Sequence, residues 1–349
     1  MGKCRIIVNT RTIPADLETP VGIYLKIRDL YPQSALLESS DYHTTQNSVS
    51  LIGMEPVASF KVAGEAIEFC YPECDPVVTP VSGDVDVVDA LGRYIETFDV
   101  VNPVRNTPNG FFGYTAYDAV RYFENVPVSG KDACFDGIPD MMYILYRYII
   151  AVNHYKNQMT IVENLPEGET TRIDEVIGII RNHNVPQYRF QAADDIESPV
   201  TDAQYRDMVS EGVRHCLRGD VFQIVLSRRF SQGFSGDEFN VYRALRCVNP
   251  SPYLFYFDFG SFRVFGSSPE THLRIQGGRA YIDPIAGTFK RTGDDVRDRE
   301  LAQALLADEK ENAEHVMLVD LARNDLARSG GKVGIEFLRQ IQFYSHVIH

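Results

Sequence analysis

The run Met142-Tyr-Ile-Leu-Tyr-Arg-Tyr-Ile-Ile-Ala-Val152, the polar turn His154-Tyr-Lys-Asn-Gln158 and the short run Met159-Thr-Ile-Val162 decide the fold class. Segments rich in β-branched and aromatic residues, parted by a few polar ones, read as a β-hairpin. Its first arm lies in the longest apolar stretch, Met141 to Val152, which Arg147 interrupts. That stretch is too short to cross a bilayer, which takes ~20 apolar residues. A hairpin pairs strands antiparallel, and short strand-to-strand connections recur upstream. Val49 to Val62 and Ile67 to Cys70 read as strands parted by Gly64, and Arg5-Ile-Ile-Val-Asn9 as another. Two helices break the strands. Val21 to Leu30 has Thr19 as its cap and Pro20 at its first position, and Val85 to Phe98 carries Val88, Leu91, Ile95 and Phe98 at helical spacing. The expectation is an α+β fold, with two lobes built around layered antiparallel sheets and helices packed outside.

Downstream, Arg189 to Thr201 is polar, contains Pro199 and lacks periodicity, so it reads as a linker between lobes at 1–190 and 200–349. Thr201 then caps a helix, Asp202 to Arg218, with Tyr205, Val209, Val213 and Leu217 on one stripe. Val221 to Phe230 reads as a strand, and Tyr253 to Ile275 as β-rich sequence broken at Gly260 and Gly266. Ala280 to Ile285 reads as a strand, Arg297 to Arg328 as one long helix closing at Gly330-Gly331, and Val333 to His349 as a terminal strand.

With 349 residues and 44% hydrophobic content the chain can build a substantial core, in about two domains at ~150 residues each. Forty-eight acids against 34 bases leave a net charge of −14, which gives no basic footprint for nucleic acid. An anionic substrate would therefore need local positive charge or a metal to gather it. Of the six cysteines only Cys70 and Cys74 lie close together, with no second pair for a zinc site, so reduced thiols in a cytoplasmic protein are expected. The N-terminus lacks the apolar core of a signal peptide.

Three segments bear chemistry. In Asp308-Glu-Lys-Glu-Asn-Ala-Glu-His315, Glu311 and Glu314 are three apart and share a helix face beside an apolar stripe. Such oxygen donors suit Mg²⁺, although a solvated acidic face gives the same pattern. In Tyr281-Ile-Asp-Pro-Ile-Ala-Gly-Thr288 the glycine lets backbone approach a ligand and the threonine adds a hydroxyl, with Lys290 and Arg291 downstream to gather an anion. Asn249-Pro-Ser-Pro-Tyr-Leu254 is a rigid, double-proline entry into a strand.

Taken together with Asp220-Val-Phe-Gln-Ile-Val-Leu-Ser-Arg-Arg-Phe230, Phe265-Gly-Ser-Ser-Pro-Glu270 and the helix through Asn324 and Asp325, these segments resemble the chorismate-utilising enzymes. Within them they resemble the large subunits of anthranilate synthases. The resemblance covers essentially the whole chain. It implies conversion of chorismate and ammonia to anthranilate and pyruvate, with ammonia supplied from glutamine by an amidotransferase partner. It implies Mg²⁺ held by Glu314 with Glu311 beside it, chorismate contacts at Gly287 and Thr288, and His349 near the leaving group in the elimination of pyruvate. Ala286 stands where relatives that add water, or make aminodeoxychorismate, carry a lysine, and a methyl group leaves space for ammonia.

Leu36-Leu-Glu-Ser39 and Pro252-Tyr-Leu254 resemble the family's pocket for L-tryptophan as feedback inhibitor, with Glu38 and Ser39 on one wall and Pro252, Tyr253 and Leu254 on the other. Ser48 and Val49 stand where many members place a basic residue, and Gly287-Thr-Phe-Lys-Arg291 departs from the family's Gly-Thr-Arg-Pro-Arg. The family's C-terminal segment follows the histidine at which this chain ends. The resemblance thus implies a chain that makes no anthranilate alone and tends to pair with itself. The rival readings are an aminodeoxychorismate synthase subunit and a non-catalytic fragment that binds tryptophan or a partner.

Overall fold

The central hairpin forms as read, and its neighbours build a single large sheet around it. The structure is a computed structural model and describes residues 3–39, 48–82, 85–105, 107–128, 137–328, 330–344 and 346–349, so Cys134 lies outside the described residues. In chain order the first half runs β1 (Cys4–Pro14), α1 (Pro20–Ile27), β2 (Ala35–Glu38), β3 (Val49–Ala63), β4 (Ala66–Cys70), β5 (Val77–Pro80), α2 (Val87–Glu96), β6 (Phe98–Val101), β7 (Phe111–Thr115), β8 (Met141–Asn153), β9 (Gln158–Pro166) and α3 (Ile173–Ile180). The second half runs β10 (Phe190–Glu197), α4 (Asp202–Arg218), β11 (Ser231–Gly236), α5 (Phe239–Val248), β12 (Tyr253–Asp258), β13 (Arg263–Ser268), β14 (Arg274–Gln276), β15 (Arg279–Tyr281), β16 (Phe289–Lys290), α6 (Asp295–Ala307), α7 (Glu309–Arg328) and β17 (Val347–Ile348).

The sheet runs β13-β12-β2-β3-β8-β9-β1-β6, with β4 and β7 pairing β3 and β8, and β5 pairing β4. All its pairs are antiparallel except β1–β6. The turn expected after Asn153 is closed by the Asn153 side chain, which accepts from the Lys156 amide at 2.8 Å. The caps are also as read: Thr19 Oγ1 accepts from the Gly22 amide at 3.0 Å, and Thr201 forms a reciprocal capping box with Gln204. α1 buries Ile23, Tyr24 and Ile27, and Tyr24 meets Tyr256 of β12 edge-on at 5.6 Å. A second cluster gathers Phe60, Ile67, Val87 and Tyr94 beneath α2.

By contact the chain divides into two compact units, Met1–Val185 with Leu245–His349, and Pro186–Ala244. The smaller unit begins at Pro186, a few residues before the segment read as a linker, and ends at Ala244. The chain returns to the larger one because β12 pairs with β2, Leu254 opposite Glu38.

Six local expectations are corrected. Arg189–Thr201 is no open linker, because β10 occupies most of it and pairs with β11. The strand expected at Val221–Phe230 does not form: among the described residues no partner strand lies beside it, and Phe222 and Val225 are 93% and 87% exposed. The backbone pairing falls instead on the Gly-containing residues of β11. Gly260 does end β12, at φ +87°, but Gly266 lies within β13, where a Cβ would sit 2.7 Å from the Phe255 ring. That glycine serves packing rather than a turn. The strand expected over Ala280–Ile285 shrinks to β15, and the terminal strand over Val333–His349 to β17. The long helix splits at Asp308, which leaves helical geometry at ψ 116° and accepts from the Glu311 amide at 3.0 Å. An aspartate favours that capping geometry over the helix interior. The α4 stripe does form, yet Val213 and Leu217 are 52% and 83% exposed.

Candidate functional site

A cleft of about 1280 Å³ opens in the larger unit. Its walls include Glu38 and Ser39 at the end of β2, Pro252, Tyr253 and Leu254 at the start of β12, and Ala286, Glu311 and His349. Eight of the sequence-predicted residues therefore border one space. Gly287 is buried behind the wall, Thr288 is exposed beside it, and Glu314 is half-buried one turn along α7 from Glu311.

At the β2 end the alternation of a strand turns Leu36 and Glu38 to one face and Leu37 to the other. Glu38 is 5% exposed, and Arg246 donates through Nε to its two oxygens at 3.1 and 3.0 Å. His154 Nε2 lies 2.7 Å from Ser50 Oγ, and burial pushes its pKa below the ordinary value. The Ser48 hydroxyl donates to the Ser39 carbonyl at 3.3 Å. Leu254 is buried opposite Glu38, whereas Tyr253 is exposed and hydrogen-bonds Thr271.

At the other end β16 and β17 pair, Phe289 opposite Ile348, and this register brings residue 349 back to residues 287 and 288. His349 Nδ1 lies 3.0 Å from the Gly287 carbonyl and 3.1 Å from Thr288 Oγ1. A carbonyl can only accept, so that contact assigns the hydrogen of the neutral ring to Nδ1 and leaves Nε2 as its basic nitrogen. Tyr344 packs edge-on against the same ring at 5.2 Å. Gly287 holds φ +70°, and a Cβ there would lie 2.8 Å from Leu305 Cδ1 and 3.2 Å from Glu311 Oε2. Leu305 belongs to a small core with Ala302 and Ile348, so α6 is packed under the β16–β17 pair.

Arg291, expected to gather an anion, is engaged in structure. It donates through Nε to Asp298 at 2.8 Å and through its guanidinium to the Tyr344 carbonyl at 3.1 Å. Asp298 is 1% exposed, and the Thr292 amide and hydroxyl also reach it at 2.7 and 2.8 Å. The Thr292 amide and then Arg291 hold its carboxyl down at about 2, from an ordinary 3.8. A pKa depressed by folding stabilises the protein above the unfolded-state value, and that stability is lost as pH falls through the folded-state value. The window is therefore roughly pH 4 to pH 2. Asp298→Asn is expected to lower the urea midpoint at neutral pH and to flatten its decline across that window. An unchanged slope there would refute the linkage.

Among the described residues no group of three or more His, Cys, Asp or Glu is placed to hold a metal ion. Nor is any helix among them long and apolar enough to cross a membrane. Sequence reading missed Arg246 and Asp298. Neither carries a local signal, since Arg246 finds its partner 208 positions away and Asp298 looks like one more acid in a helix start. His315 also lines the cleft, with Nε2 2.7 Å from the Leu338 carbonyl, and its place in an acidic helical run gives no sign of that.

Residues 33–349 match the chorismate binding enzyme family. Anthranilate synthase component 1 of Thermus thermophilus is 35% identical over 99% of this chain and 74% of its own length. That of Pseudomonas putida is 33% identical over 100% of this chain and 73% of its own. The crystal structure of anthranilate synthase component I from Streptococcus pneumoniae superposes with a TM-score of 0.66 at 25% identity, over 88% of this chain and 68% of that one. The menaquinone-specific isochorismate synthase MenF of Escherichia coli, at 16% identity and a TM-score of 0.66 over 100% of this chain and 70% of its own, shares the fold. With its described strands, helices and cleft in this arrangement, and with family similarity running from residue 33 to residue 349, the chain belongs to the chorismate-binding enzyme family.

Proposed function

We propose that this chain belongs to the chorismate-binding subunit of an anthranilate synthase, an enzyme whose reaction turns chorismate and ammonia into anthranilate, pyruvate and water under feedback by L-tryptophan. The observation that carries the reading is Ala286 in the cleft wall, one residue before the Gly287 whose carbonyl meets His349. A methyl group supplies neither an amine to attack the ring nor a base to activate water, so a small external nucleophile such as ammonia has the space. Substrate contact falls to the Gly287 backbone and the exposed Thr288 hydroxyl, the missing Cβ of Gly287 leaving room behind the wall for Leu305 and Glu311. His349, fixed through Nδ1, keeps Nε2 for a proton in the elimination of pyruvate. The ammonia comes from glutamine through an amidotransferase partner.

Glu314 would hold Mg²⁺, with Glu311 beside it on the same helix supporting the ion through its water. Two carboxylates on one helix face, with substrate oxygens and water, meet the needs of an ion that keeps much of its hydration. The missing Cβ at Gly287 leaves Glu311 Oε2 the room to turn toward such a ligand. When bound, the ion supplies charge neutralisation and Lewis acidity at the ring carboxylate of chorismate. At the far end of the cleft, Glu38 and Ser39 face the polar end of tryptophan, and Pro252, Tyr253 and Leu254 its indole.

The test is calorimetric titration of the purified chain with L-tryptophan, and separately with chorismate plus Mg²⁺. Both ligands are expected to bind saturably. Glu314→Ala should weaken chorismate at least ~10-fold, about 1.4 kcal/mol, and leave tryptophan unchanged. Chorismate binding without tryptophan binding would move the assignment to an aminodeoxychorismate synthase. Absence of both would sink the proposal.

A further inference from the structure

Tyr71-Pro-Glu-Cys74 folds back at the end of β4. Pro72 presets the second position of this turn, and Glu73 takes φ +55°, the left-handed value found at the third position of a type II turn. The Cys74 amide reaches the Tyr71 carbonyl at 3.4 Å, which sets Cys74 against Tyr71. The Tyr71 ring stacks over Phe98 at 6.3 Å and 22° and meets Tyr94 at 5.1 Å. Phe98 is the register partner of Cys4, whose amide donates to the Thr97 carbonyl at 2.8 Å. The turn after β4 and the first residue of β1 thus converge on one Tyr71–Phe98 pair. Both cysteines are free, Cys74 exposed and Cys4 half-buried. Burial, and then the charge of the neighbouring Cys74, push the Cys4 thiol up.

We propose that Cys4 and Cys74 are a reversible thiol–disulfide pair that closes by exchange with a small-molecule disulfide such as glutathione disulfide. Exposed Cys74 is the entry point. Its thiolate attacks one sulfur of the small disulfide, the S–S bond breaks, and one glutathione thiolate leaves. Cys4 then loses its proton to solvent and attacks the Cys74 sulfur, expelling the second glutathione. Two protein thiols are oxidised by two electrons, and one glutathione disulfide is reduced to two glutathione molecules. The less acidic, half-buried Cys4 is suited to this second, intramolecular step, where proximity substitutes for thiolate population. The new bond ties the start of β1 to the turn after β4 and closes a long loop, which restricts the unfolded chain.

The experiment incubates the full chain, folded, with oxidised glutathione, followed by peptide mass spectrometry without reduction and by thermal melting. The expected result is a Cys4–Cys74 linked peptide two hydrogens lighter than its reduced components. The melting temperature should rise by several degrees and fall back on treatment with a dithiol. Cys74→Ser should abolish both effects, and Cys4→Ser should trap a glutathione adduct on Cys74. A Cys70–Cys74 bond, a wild-type adduct that never resolves, a Cys74-linked dimer, or no oxidation at all would each overturn the assignment.

Discussion

Arg147→Met is expected to lower the free energy of unfolding by ~3–5 kcal/mol, the usual result of removing one partner of a buried ion cluster. That is a large share of the ~5–15 kcal/mol that holds an ordinary domain folded. The Arg147 side chain is 5% exposed on β8 and faces three carboxylates, Glu55 at 3.5 Å, Glu163 at 3.6 Å and Glu169. It also donates to the Thr170 carbonyl at 2.8 Å. Glu163 is fully buried. Burial pushes its pKa up, but hydrogen bonds from Thr171, the Arg172 amide, Asn9 and Tyr148 outweigh this and hold it below the ordinary value. Those hydrogen bonds favour the charged form of Glu163, and methionine leaves that charge buried without its cation. Urea unfolding followed by fluorescence measures the loss. A change under about 1 kcal/mol would mean that water or Arg172, which pairs with Glu55, takes over the role. The double variant Arg147→Met/Glu163→Gln should recover part of the loss, because the orphaned charge is then removed as well.

Gly287→Ala is expected to weaken chorismate binding at least ~10-fold, and to cost stability of about 1–2 kcal/mol from the left-handed backbone. The added Cβ would sit 2.8 Å from Leu305 Cδ1 and 3.2 Å from Glu311 Oε2. Leu305 is buried in the small core under β16 and β17, so it yields poorly, and Glu311 is the group displaced. Gly293→Ala is the matched control: φ is +84° there, and no atom lies within 4 Å of the new Cβ. It should show the backbone strain and keep the affinity. Equal loss of chorismate affinity in both variants would mean that strain alone, rather than crowding at Glu311, governs the site.

Much of the fold was legible because its signals are local. Thr19 before Pro20, Thr201 three residues before Gln204, and the polar turn after Val152 each act within a few positions, and each forms as read. The apolar runs of β3, β8 and β9 mark strands wherever they sit, because alternation and β-branching suit a pleated surface. The motifs that place the chain in its family are equally local strings, and eight of their residues do border one cleft.

Other features depended on what lay across from them. Val221–Phe230 has the composition of a strand but no partner strand among the described residues, while the poorer strand former Ser231–Gly236 has β10 beside it. The helix at Asp308 breaks because the same carboxylate that would be tolerated in a helix can instead satisfy the Glu311 amide. Arg291 resembles an anion collector until Asp298 and the Tyr344 carbonyl are seen to hold it. Arg147, in sequence an interruption of an apolar run, is the centre of a buried charge cluster drawn from Glu55, Glu163 and Glu169. By itself, then, the sequence determined the types of most strands and helices, the caps and the family. Only the tertiary structure decided which edges pair, which charges are buried together, and that His349 closes against Gly287. Backbone preference acts over a few residues, whereas a buried charge or an open strand edge must be satisfied by whatever segment the fold brings to it.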